Sequence, residues 1–222
     1  MTVTGTRERA LVMETPASVG VISGRDLRFT GPMHPQQLLG QIPGVAVAVT
    51  NGEGHSTAIR QPFTTGPLYL YLEDGIPTRP TGFFNHNALY EVNLPGAGGV
   101  EVIRGPGTAL YGSDAIGGLV NVLTRTPSAT AERSLVGEVG SFGWRRLLAD
   151  GNQPLSAQGA LRAAVNVTHT DGWRATTAYD RESVNLRWDQ SWSPGVRTKT
   201  LLGYTQIDQQ TGANSALVMA DC

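Results

Sequence analysis

The sequence predicts an α+β domain with a small mixed sheet, followed by antiparallel β-strands of an incomplete transmembrane β-barrel. Up to about residue 128, short apolar runs alternate with helix signals and turn residues, which is typical of a compact α+β domain. From Leu161 onward, apolar and polar residues alternate with a period of two over nine residues or more. The 222 residues, 40% of them hydrophobic, are enough to bury a sizeable core.

Local signals in the first part of the chain place two short helices. Ser23 and Asp26 have the spacing of a capping box, so a helix is expected directly after the apolar run 19–22. Pro35 suits the first turn of a second helix over 34–39, because proline lacks the N–H that the first turn leaves unbonded. Both helices lie between apolar strand candidates.

The strand candidates of this domain are short. Residues 68–73 alternate Leu with Tyr and Glu, which predicts a half-buried strand, and Asp74 and Gly75 predict a tight turn where it ends. Further strands are predicted over 45–49, 100–104 and 119–124. These elements together predict four or five strands with short helices.

The second part of the chain predicts a meander of four or five antiparallel strands. Residues 161–168 and 183–192 alternate most clearly, and weaker candidates lie at 134–142, 144–153 and 197–208. Aromatic residues fall near the predicted strand ends, as at a membrane interface: Trp173, Tyr179, Trp192 and Tyr204. An open sheet cannot exist in lipid, so a barrel reading implies an incomplete chain. A soluble β-sandwich alternates in the same way and stays open as an alternative.

Composition excludes several classes of function. Charged residues make up 16% of the chain, the formal net charge is −1, and both signs are interspersed, so no nucleic-acid-binding surface is expected. The single cysteine, Cys222, rules out a disulfide within the chain. No run approaches the roughly 18 to 20 apolar residues of a spanning helix, and the start lacks the pattern of a signal peptide. The chain is expected to be either soluble or in contact with a membrane through strands.

The sequence predicts neither catalysis nor a cofactor. The Gly-rich segment 105–118 lacks the Gly-Lys-Ser/Thr of a phosphate-binding loop, and Pro106 removes a backbone donor. No nucleophile elbow is present, and the four histidines form no i,i+4 pair beside carboxylates: His34, His55, His86 and His169. An enzyme that used the Gly-rich segment would need a pocket with convergent titratable groups, for which the sequence offers little support.

An ordered set of motifs resembles the plug domain of TonB-dependent outer-membrane receptors. Its most specific piece is Glu101-Val-Ile-Arg-Gly-Pro-Gly, continuing through Asn121. The accompanying pieces occur in the family's order at 19–22, 26–27, 38–39, 42–45, 59–60 and 72–77. The resemblance covers residues 2 to about 126 and implies three parts: a TonB-box-like tail over 1–15, a plug over 16–128 and the first barrel strands over 132–222. Gln61-Pro62 follows Arg60 where the family usually has Gly.

The resemblance implies a bacterial outer-membrane receptor whose plug fills a barrel of about 22 strands and faces the periplasm. Such receptors take up scarce ligands with energy from a TonB-type energy-transducing protein; a ferric siderophore is the first expectation, otherwise haem or cobalamin. Thr2, Val3 and Thr4 resemble the end of the TonB box, which recruits that partner by β-augmentation. The outer-membrane lipid is the other implied partner. The alternative function is a soluble binding or adhesion module with an α+β head and a β-sandwich tail.

Three groups of candidate site residues follow from the resemblance and from side-chain chemistry. Charged residues expected to lock the plug to the barrel are Arg60, Glu101 and Arg104, for which ordinary solvated charge is the alternative. Residues expected to fix plug turns are Asp74, Gly75, Gly105, Pro106, Gly107, Tyr111, Gly112, Gly117 and Gly118. Ligand contacts are expected from loops 51–57 and 78–87, through Glu53, His55, Arg79, Phe83, Phe84 and His86, unless the phenylalanines pack inside the plug.

Overall fold

The computed structural model describes residues 11–83 and 86–209, together with the backbone of residues 2, 3 and 10. Within this part of the chain, no helix combines the length and the apolar composition that crossing a membrane requires. The described residues form an N-terminal domain, up to Leu123, and a separate antiparallel sheet from Glu132, which we call the wall.

The N-terminal domain is built around a small mixed sheet, as predicted. The described strands of the whole domain are β1 Thr2–Val3, β2 Ala10–Leu11, β3 Val19–Ser23, β4 Val45–Val49, β5 His55–Ile59, β6 Tyr69–Glu73, β7 Ile76–Pro77, β8 Gly99–Arg104 and β9 Gly118–Leu123. Its helices are α1 Gly24–Thr30, α2 Gln36–Leu39 and α3 Thr108–Tyr111, with 3-10 turns at Val12–Glu14, Ala88–Glu91 and Leu94–Gly96. The main sheet has the order β3-β8-β9-β6-β7, in which only the pair β6 and β9 is parallel.

The capping box predicted at Ser23 is confirmed. The Ser23 Oγ accepts a hydrogen bond from the Asp26 backbone N–H at 3.2 Å, and the Asp26 carboxylate accepts one from the Ser23 backbone N–H at 3.3 Å. Two of the donors that a helix N-terminus leaves unbonded are thereby satisfied. The helix ends at Gly31, which adopts the left-handed conformation.

Strand β6 differs from its prediction as a half-buried strand. Tyr69 and Tyr71 on one face and Leu70 and Leu72 on the other are all 1% exposed or less. The two tyrosines join the larger apolar cluster of the domain, whereas the two leucines join a second cluster on the opposite face of the sheet. The prediction was wrong because alternation of Leu with Tyr reads as alternation of apolar with polar, although a tyrosine ring is mostly apolar surface.

The predicted turn at Asp74 and Gly75 closes the hairpin of β6 and β7. Both residues have positive φ, 50° and 84°, and they connect the paired residues Glu73 and Ile76. Positive φ at both central positions is the geometry of a type I′ turn, which Asp-Gly favours. The local sequence therefore sets the direction in which β7 returns along β6.

We expect Gly75→Ala to destabilise the protein by about 1–2 kcal/mol, the cost of the left-handed conformation for a residue with a Cβ. A Cβ at Gly75 would meet no atom within 4 Å, so backbone strain alone is tested. The measurement is the urea midpoint of the protein. Gly66→Ala is the matched control, because its φ is outside the left-handed region and its Cβ would lie at an ordinary 3.4 Å from Thr64 Oγ1. Equal midpoints for the two variants would contradict the expectation.

The wall is an antiparallel meander, as predicted, and its five strands are within the predicted range of four or five. Its strands are β10 Glu132–Val139, β11 Arg145–Ser156, β12 Gly159–Thr170, β13 Tyr179–Ser193 and β14 Val196–Gln209. The last four have 12 to 15 residues and exceed the roughly 9–11 that a tilted strand needs to cross a bilayer. One end of the wall has the longer connections 140–144 and 171–178, and the other has the two-residue turns 157–158 and 194–195.

The wall carries its polar residues inside and its apolar residues outside. On β12, the side chains of Arg162, Asn166 and Thr168 are 5%, 0% and 3% exposed, whereas Val165 and Val167 on the other face are 37% and 44% exposed. A soluble sandwich buries the apolar face of each strand, so it would show the reverse. A barrel strand alternates apolar outward with polar inward. The polarity of the wall therefore favours the barrel over the soluble alternative.

One predicted interfacial aromatic lies inside the wall. Trp173 and Trp192 are 59% and 62% exposed, whereas Tyr179 is 5% exposed. The Tyr179 hydroxyl donates to the Met33 carbonyl at 3.3 Å, and its ring packs edge-on against Trp144. The alternation of β13 explains the difference, since Tyr179 shares the inward face with Arg181 and Ser183.

Candidate functional site

Four arginines on the inner face of the wall lie against or beside the N-terminal domain. They are Arg146, Arg162, Arg181 and Arg187, and each is 8% exposed or less. Arginine is rarely buried unless its charge is paired. The contacts of these four side chains therefore define how the two parts of the chain are held together.

Arg181 makes the most complete set of contacts across the interface. Its Nη1 donates to a carboxylate oxygen of Glu53, and its Nη2 donates to the carbonyls of Val92 at 2.6 Å and Tyr90 at 3.2 Å. Its Nε donates to Ser183 Oγ at 2.8 Å. Glu53 is 9% exposed, so both charges of this ion pair are buried. One wall side chain thus fixes two separate loops of the N-terminal domain.

A second group of contacts surrounds the β6–β7 turn. The Arg187 guanidinium lies 3.7 Å from Asp74 Oδ2 and donates to the carbonyl of Thr124 at 3.2 Å. Asp74 also accepts hydrogen bonds from the N–H and the hydroxyl of Thr124. Next to it, Asn185 Nδ2 donates to Glu73 Oε1 at 3.2 Å. The hairpin turn, the wall and the start of the connecting segment are therefore joined in one polar network.

The remaining two arginines hold the edges of the interface. Arg146 donates to the carbonyl of Pro32 at 2.5 Å and pairs with Glu138 at 2.6 Å. Arg162 pairs with Asp150 at 2.5 Å and donates to the carbonyl of Thr126 at 3.5 Å. Glu138 and Asp150 belong to the wall, so these two arginines reach the rest of the chain through the backbone carbonyls of Pro32 and Thr126.

The comparisons with known proteins agree with this architecture. The family model described as TonB-dependent receptor plug domain matches residues 11–119. The vitamin B12 transporter BtuB of Vibrio vulnificus (strain CMCP6) is 32% identical over 193 residues, which are 83% of this chain and 31% of that protein. The chain belongs to the TonB-dependent receptor family. It spans about a third of the length of the curated relatives it matches, 31% of this one and 36% of BtuB from Vibrio cholerae.

Solved structures share the fold of the plug and of the wall. The ferripyoverdine receptor of the outer membrane of Pseudomonas aeruginosa, bound to ferripyoverdine, superposes with a TM-score of 0.74 at 19% identity, over 92% of this chain and 27% of that one. The ferric citrate transporter FecA in its unliganded form gives a TM-score of 0.75 at 22% identity, over 90% of this chain and 32% of that one. The N-terminal domain is accordingly the plug, and the wall is the first part of the barrel.

The residues predicted to lock the plug to the barrel make their described contacts within the plug. Arg60 donates to the carbonyl of Arg104 at 3.3 Å and to Ser18 Oγ at 3.1 Å, while Arg104 donates to the carbonyl of Pro43 at 2.7 Å. Glu101 is 1% exposed in the centre of the mixed sheet. In the described part of the chain, wall residues make ion pairs across the interface: Arg181 pairs with Glu53, and Arg187 and Lys199 lie within 4.0 Å of Asp74. The sequence signal for the two arginines was their place on the polar side of the β13 alternation.

Two predicted ligand contacts, Glu53 and His55, are buried and serve other purposes. Glu53 binds Arg181, and His55 is 1% exposed. The His55 Nδ1 donates to the carbonyl of Glu53 at 2.9 Å, and its Nε2 accepts from the backbone N–H of Leu89 at 3.3 Å. Burial lowers the pKa of His55 to about 3, so the ring is neutral with both nitrogens engaged. The reading of loop 51–57 as an exposed contact surface is therefore corrected for these two residues.

Loop 78–87 retains an exposed aromatic residue. Phe83 is 56% exposed, with its ring centroid 6.0 Å from the Arg79 guanidinium carbon. Arg79 itself pairs with Glu91 at 2.7 Å and donates to Asn87 Oδ1 at 2.6 Å. Arg79 thus connects the start of the loop to its end at Asn87 and to Glu91. Burial lowers the pKa of His86, another predicted ligand contact in this loop. Two predicted site residues lie outside the described residues: Phe84 of this loop and Thr4 of the TonB-box-like tail.

The predicted turn residues lie at the ends of helices and strands. Asp74 and Gly75 form the hairpin turn; Gly105, Pro106 and Gly107 connect β8 to α3; Tyr111 and Gly112 end α3; Gly117 and Gly118 lead into β9. A Cβ at Gly117 would lie 2.6 Å from the Tyr69 ring. The close approach of this backbone to a buried ring explains why the position requires glycine. Among the described residues, no cluster of three or more His, Cys, Asp or Glu could hold a metal ion.

Proposed function

We propose that this chain works in a TonB-dependent outer-membrane receptor for energy-coupled uptake of a scarce ligand, with the plug closing the barrel lumen. The observation that carries the proposal is the row of buried arginines between plug and wall. It joins the two parts through ion pairs and hydrogen bonds, while the apolar face of the wall points outward. A plug seated in this way can seal the lumen and still be displaced by breaking polar contacts one after another.

The proposed orientation is supported by the lengths of the wall connections. Outer-membrane barrels have short periplasmic turns and longer extracellular loops. The turns 157–158 and 194–195 then face the periplasm, and the connections 140–144 and 171–178 face the outside. Loop 50–54 lies at the same end of the wall as the longer connections, because Arg174 donates to the carbonyl of Thr50 at 2.5 Å. In the proposed orientation this is the outer end.

The ligand class is proposed from the relatives and from loop chemistry. The named relatives include a vitamin B12 transporter, a ferripyoverdine receptor and a ferric citrate transporter. We favour a ferric siderophore and keep cobalamin and haem as alternatives. Phe83, exposed beside Arg79, is the described residue best suited to contact a bulky chelate, because an aromatic ring offers a large apolar surface with few rotamers to restrict.

Energy coupling is proposed to act through the first strand. Thr2–Val3 pairs antiparallel with Ala10–Leu11, and this two-residue pairing is short enough for a partner strand to replace it. A TonB-type protein that adds a strand to this segment would pull on the chain that leads into the plug.

We expect Val3→Pro in the complete receptor to abolish uptake while ligand binding is unchanged, because proline removes a backbone donor from the augmenting strand. Radiolabelled cyanocobalamin, a ferric siderophore and ferric citrate are the probes, each measured for binding to cells and for uptake. Val3→Ala is the control, since it shortens the side chain and keeps the N–H. Unchanged uptake by the proline variant would contradict coupling through this strand. A wild-type receptor that takes up no probe in a TonB-dependent manner would contradict the proposed function.

A further inference from the structure

A carboxyl group of the plug lies at the boundary with the wall. Glu73 is the last residue of β6, directly before the Asp74-Gly75 turn, and it is half-buried. Its Oε1 accepts a hydrogen bond from Asn185 Nδ2 of β13 at 3.2 Å, and it forms no ion pair among the described residues. Removal of a carboxylate from water without a compensating cation is costly, so these surroundings favour the neutral form of the carboxyl.

The cations around Glu73 in the described part of the chain are paired with other carboxylates. The ionisable groups around it are Asp74 on the same hairpin, Tyr90 and Glu91 after β7, Arg125 after β9, Asp150 on β11, Arg162 on β12, Arg187 on β13 and Lys199 on β14. The ion pairs are Arg187 and Lys199 with Asp74, Arg125 and Arg162 with Asp150, and Arg79 with Glu91. Glu73 is left beside the like charge of Asp74, which again favours its neutral form.

Glu73 lines a small cavity of about 20 Å³ between plug and wall, together with Asn93 and Asn185. The wall residues of its lining belong to β11, β12 and β13, and each of these strands has a described strand on both sides. Asn93 is 4% exposed, and neither end of its side-chain amide has a hydrogen-bond partner among the described residues. The Oδ1 of Asn185 has none in this part of the chain either. Within the described residues, two buried amide oxygens that lack a donor therefore line the same cavity as the Glu73 carboxyl.

Protonation of Glu73 supplies the donor that these amide oxygens lack. An ionised carboxylate only accepts hydrogen bonds, whereas a protonated carboxyl also donates one O–H. A buried acceptor without a donor is costly, so a carboxyl that can donate into the cavity is favoured over one that cannot. Burial raises the pKa of Glu73 to about 7, with a further contribution from the charge of Asp74, while the hydrogen bond from Asn185 opposes the shift. Glu73 thus changes its charge near neutral pH.

We propose that Glu73 is a proton-controlled contact between plug and wall, whose neutral form holds the β6–β7 hairpin against Asn185 and whose ionised form weakens that hold. In an unseated hairpin Glu73 is in water and has its ordinary pKa of 4.5. Below that pH the carboxyl is protonated in both states. Between about 4.5 and about 7 only the unseated state releases its proton, so seating of the hairpin weakens as the pH rises. Above about 7 both states are ionised and the dependence ends.

Direct titration of Glu73 tests the protonation itself and needs no transported ligand. The complete receptor is labelled with ¹³C at its glutamate carboxyls and studied in lipid bilayers by solid-state NMR. The Glu73 signal is assigned by its loss in Glu73→Gln and in Glu73→Ala. Its chemical shift is expected to titrate with a midpoint at about 7. A midpoint at or below the ordinary 4.5 would overturn the proposal.

Amide hydrogen exchange of the peptide that covers residues 69–78 tests the effect on the hairpin. Glu73→Gln is the informative variant, because its side-chain amide stays neutral at every pH and both accepts and donates, as the protonated carboxyl does. Variant and wild type are compared at the same pH, so that the intrinsic exchange rate cancels. The ratio of their protection factors is expected to grow on the order of tenfold from pH 5.5 to pH 7.5, in favour of the variant.

Glu91→Gln is the matched control for the exchange measurement. Glu91 is a glutamate of the same domain, but its carboxylate is paired with Arg79 at 2.7 Å. Its ratio to the wild type is therefore expected to stay the same at both pH values. A ratio for Glu73→Gln that is equally independent of pH would overturn the proposal, because the hairpin would then be seated without regard to the charge of Glu73.

Discussion

Replacement of Arg181 by methionine is expected to weaken the seating of the plug by about 3–5 kcal/mol, the usual cost of removing one partner from a buried ion pair. Glu53 would keep a buried carboxylate without its cation, and the carbonyls of Tyr90 and Val92 would lose their donors. Methionine preserves most of the side-chain volume. The loss therefore reports on charge and hydrogen bonding, with little contribution from a cavity.

Amide hydrogen exchange of the complete receptor measures this effect. In Arg181→Met, peptides that cover residues 50–59 and 88–94 are expected to lose protection from exchange. The loss should correspond to the expected destabilisation of about 3–5 kcal/mol. Glu182→Gln is the control, because Glu182 is the adjacent residue and is exposed on the other face of β13. The double variant Glu53→Gln with Arg181→Met should recover part of the protection, since it removes the uncompensated charge. Unchanged protection in Arg181→Met would contradict the role assigned to this arginine.

Substitution of Val165 or Val167 by arginine is expected to destabilise the folded receptor by about 2–4 kcal/mol, the cost of an arginine on the lipid face near the bilayer midplane. Both side chains lie on the outward face of β12 and are 37% and 44% exposed. A surface substitution of this kind in a soluble domain changes stability by only about ±0.5 kcal/mol. The two architectures thus give different results for the same change.

Urea titration of the receptor in lipid vesicles is the measurement for these variants. Val167→Leu is the matched control, because it keeps the outward face apolar and should leave the midpoint nearly unchanged. If Val165→Arg and Val167→Arg unfold at the same urea concentration as the wild type, the outward face of β12 does not contact lipid.

Local chemistry predicted the parts of the fold that depend on neighbouring residues. The Ser23 capping box and the Asp74-Gly75 turn each arise from hydrogen bonds or φ values within a few residues, so the sequence shows them directly. The period of two along β12 and β13 likewise depends only on the pleat of a strand. The number of wall strands follows from that period and from the turn residues between the strands.

The partners across the interface could not be predicted in the same way. Glu53 and Arg181 are separated by 128 positions, and their pairing depends on how the plug docks against the wall. Without that docking, Glu53 and His55 look like polar residues of a Gly-rich loop, which suggested an exposed site. The same limit applies to Arg60 and Arg104, whose charges suggested contacts with the barrel although their hydrogen bonds connect parts of the plug.

Solvent accessibility along β12 tests the central claim, that this sheet is a lipid-facing barrel wall enclosing a plug. Spin labels are placed one at a time at residues 165–168 of the receptor in lipid bilayers, and collisions with oxygen and with a water-soluble nickel chelate are measured. Labels at 165 and 167 should collide strongly with oxygen and weakly with the chelate, because oxygen partitions into lipid. Labels at 166 and 168 should be protected from both, since the plug covers these positions. High chelate accessibility at 165 and 167 would place that face in water and contradict the account.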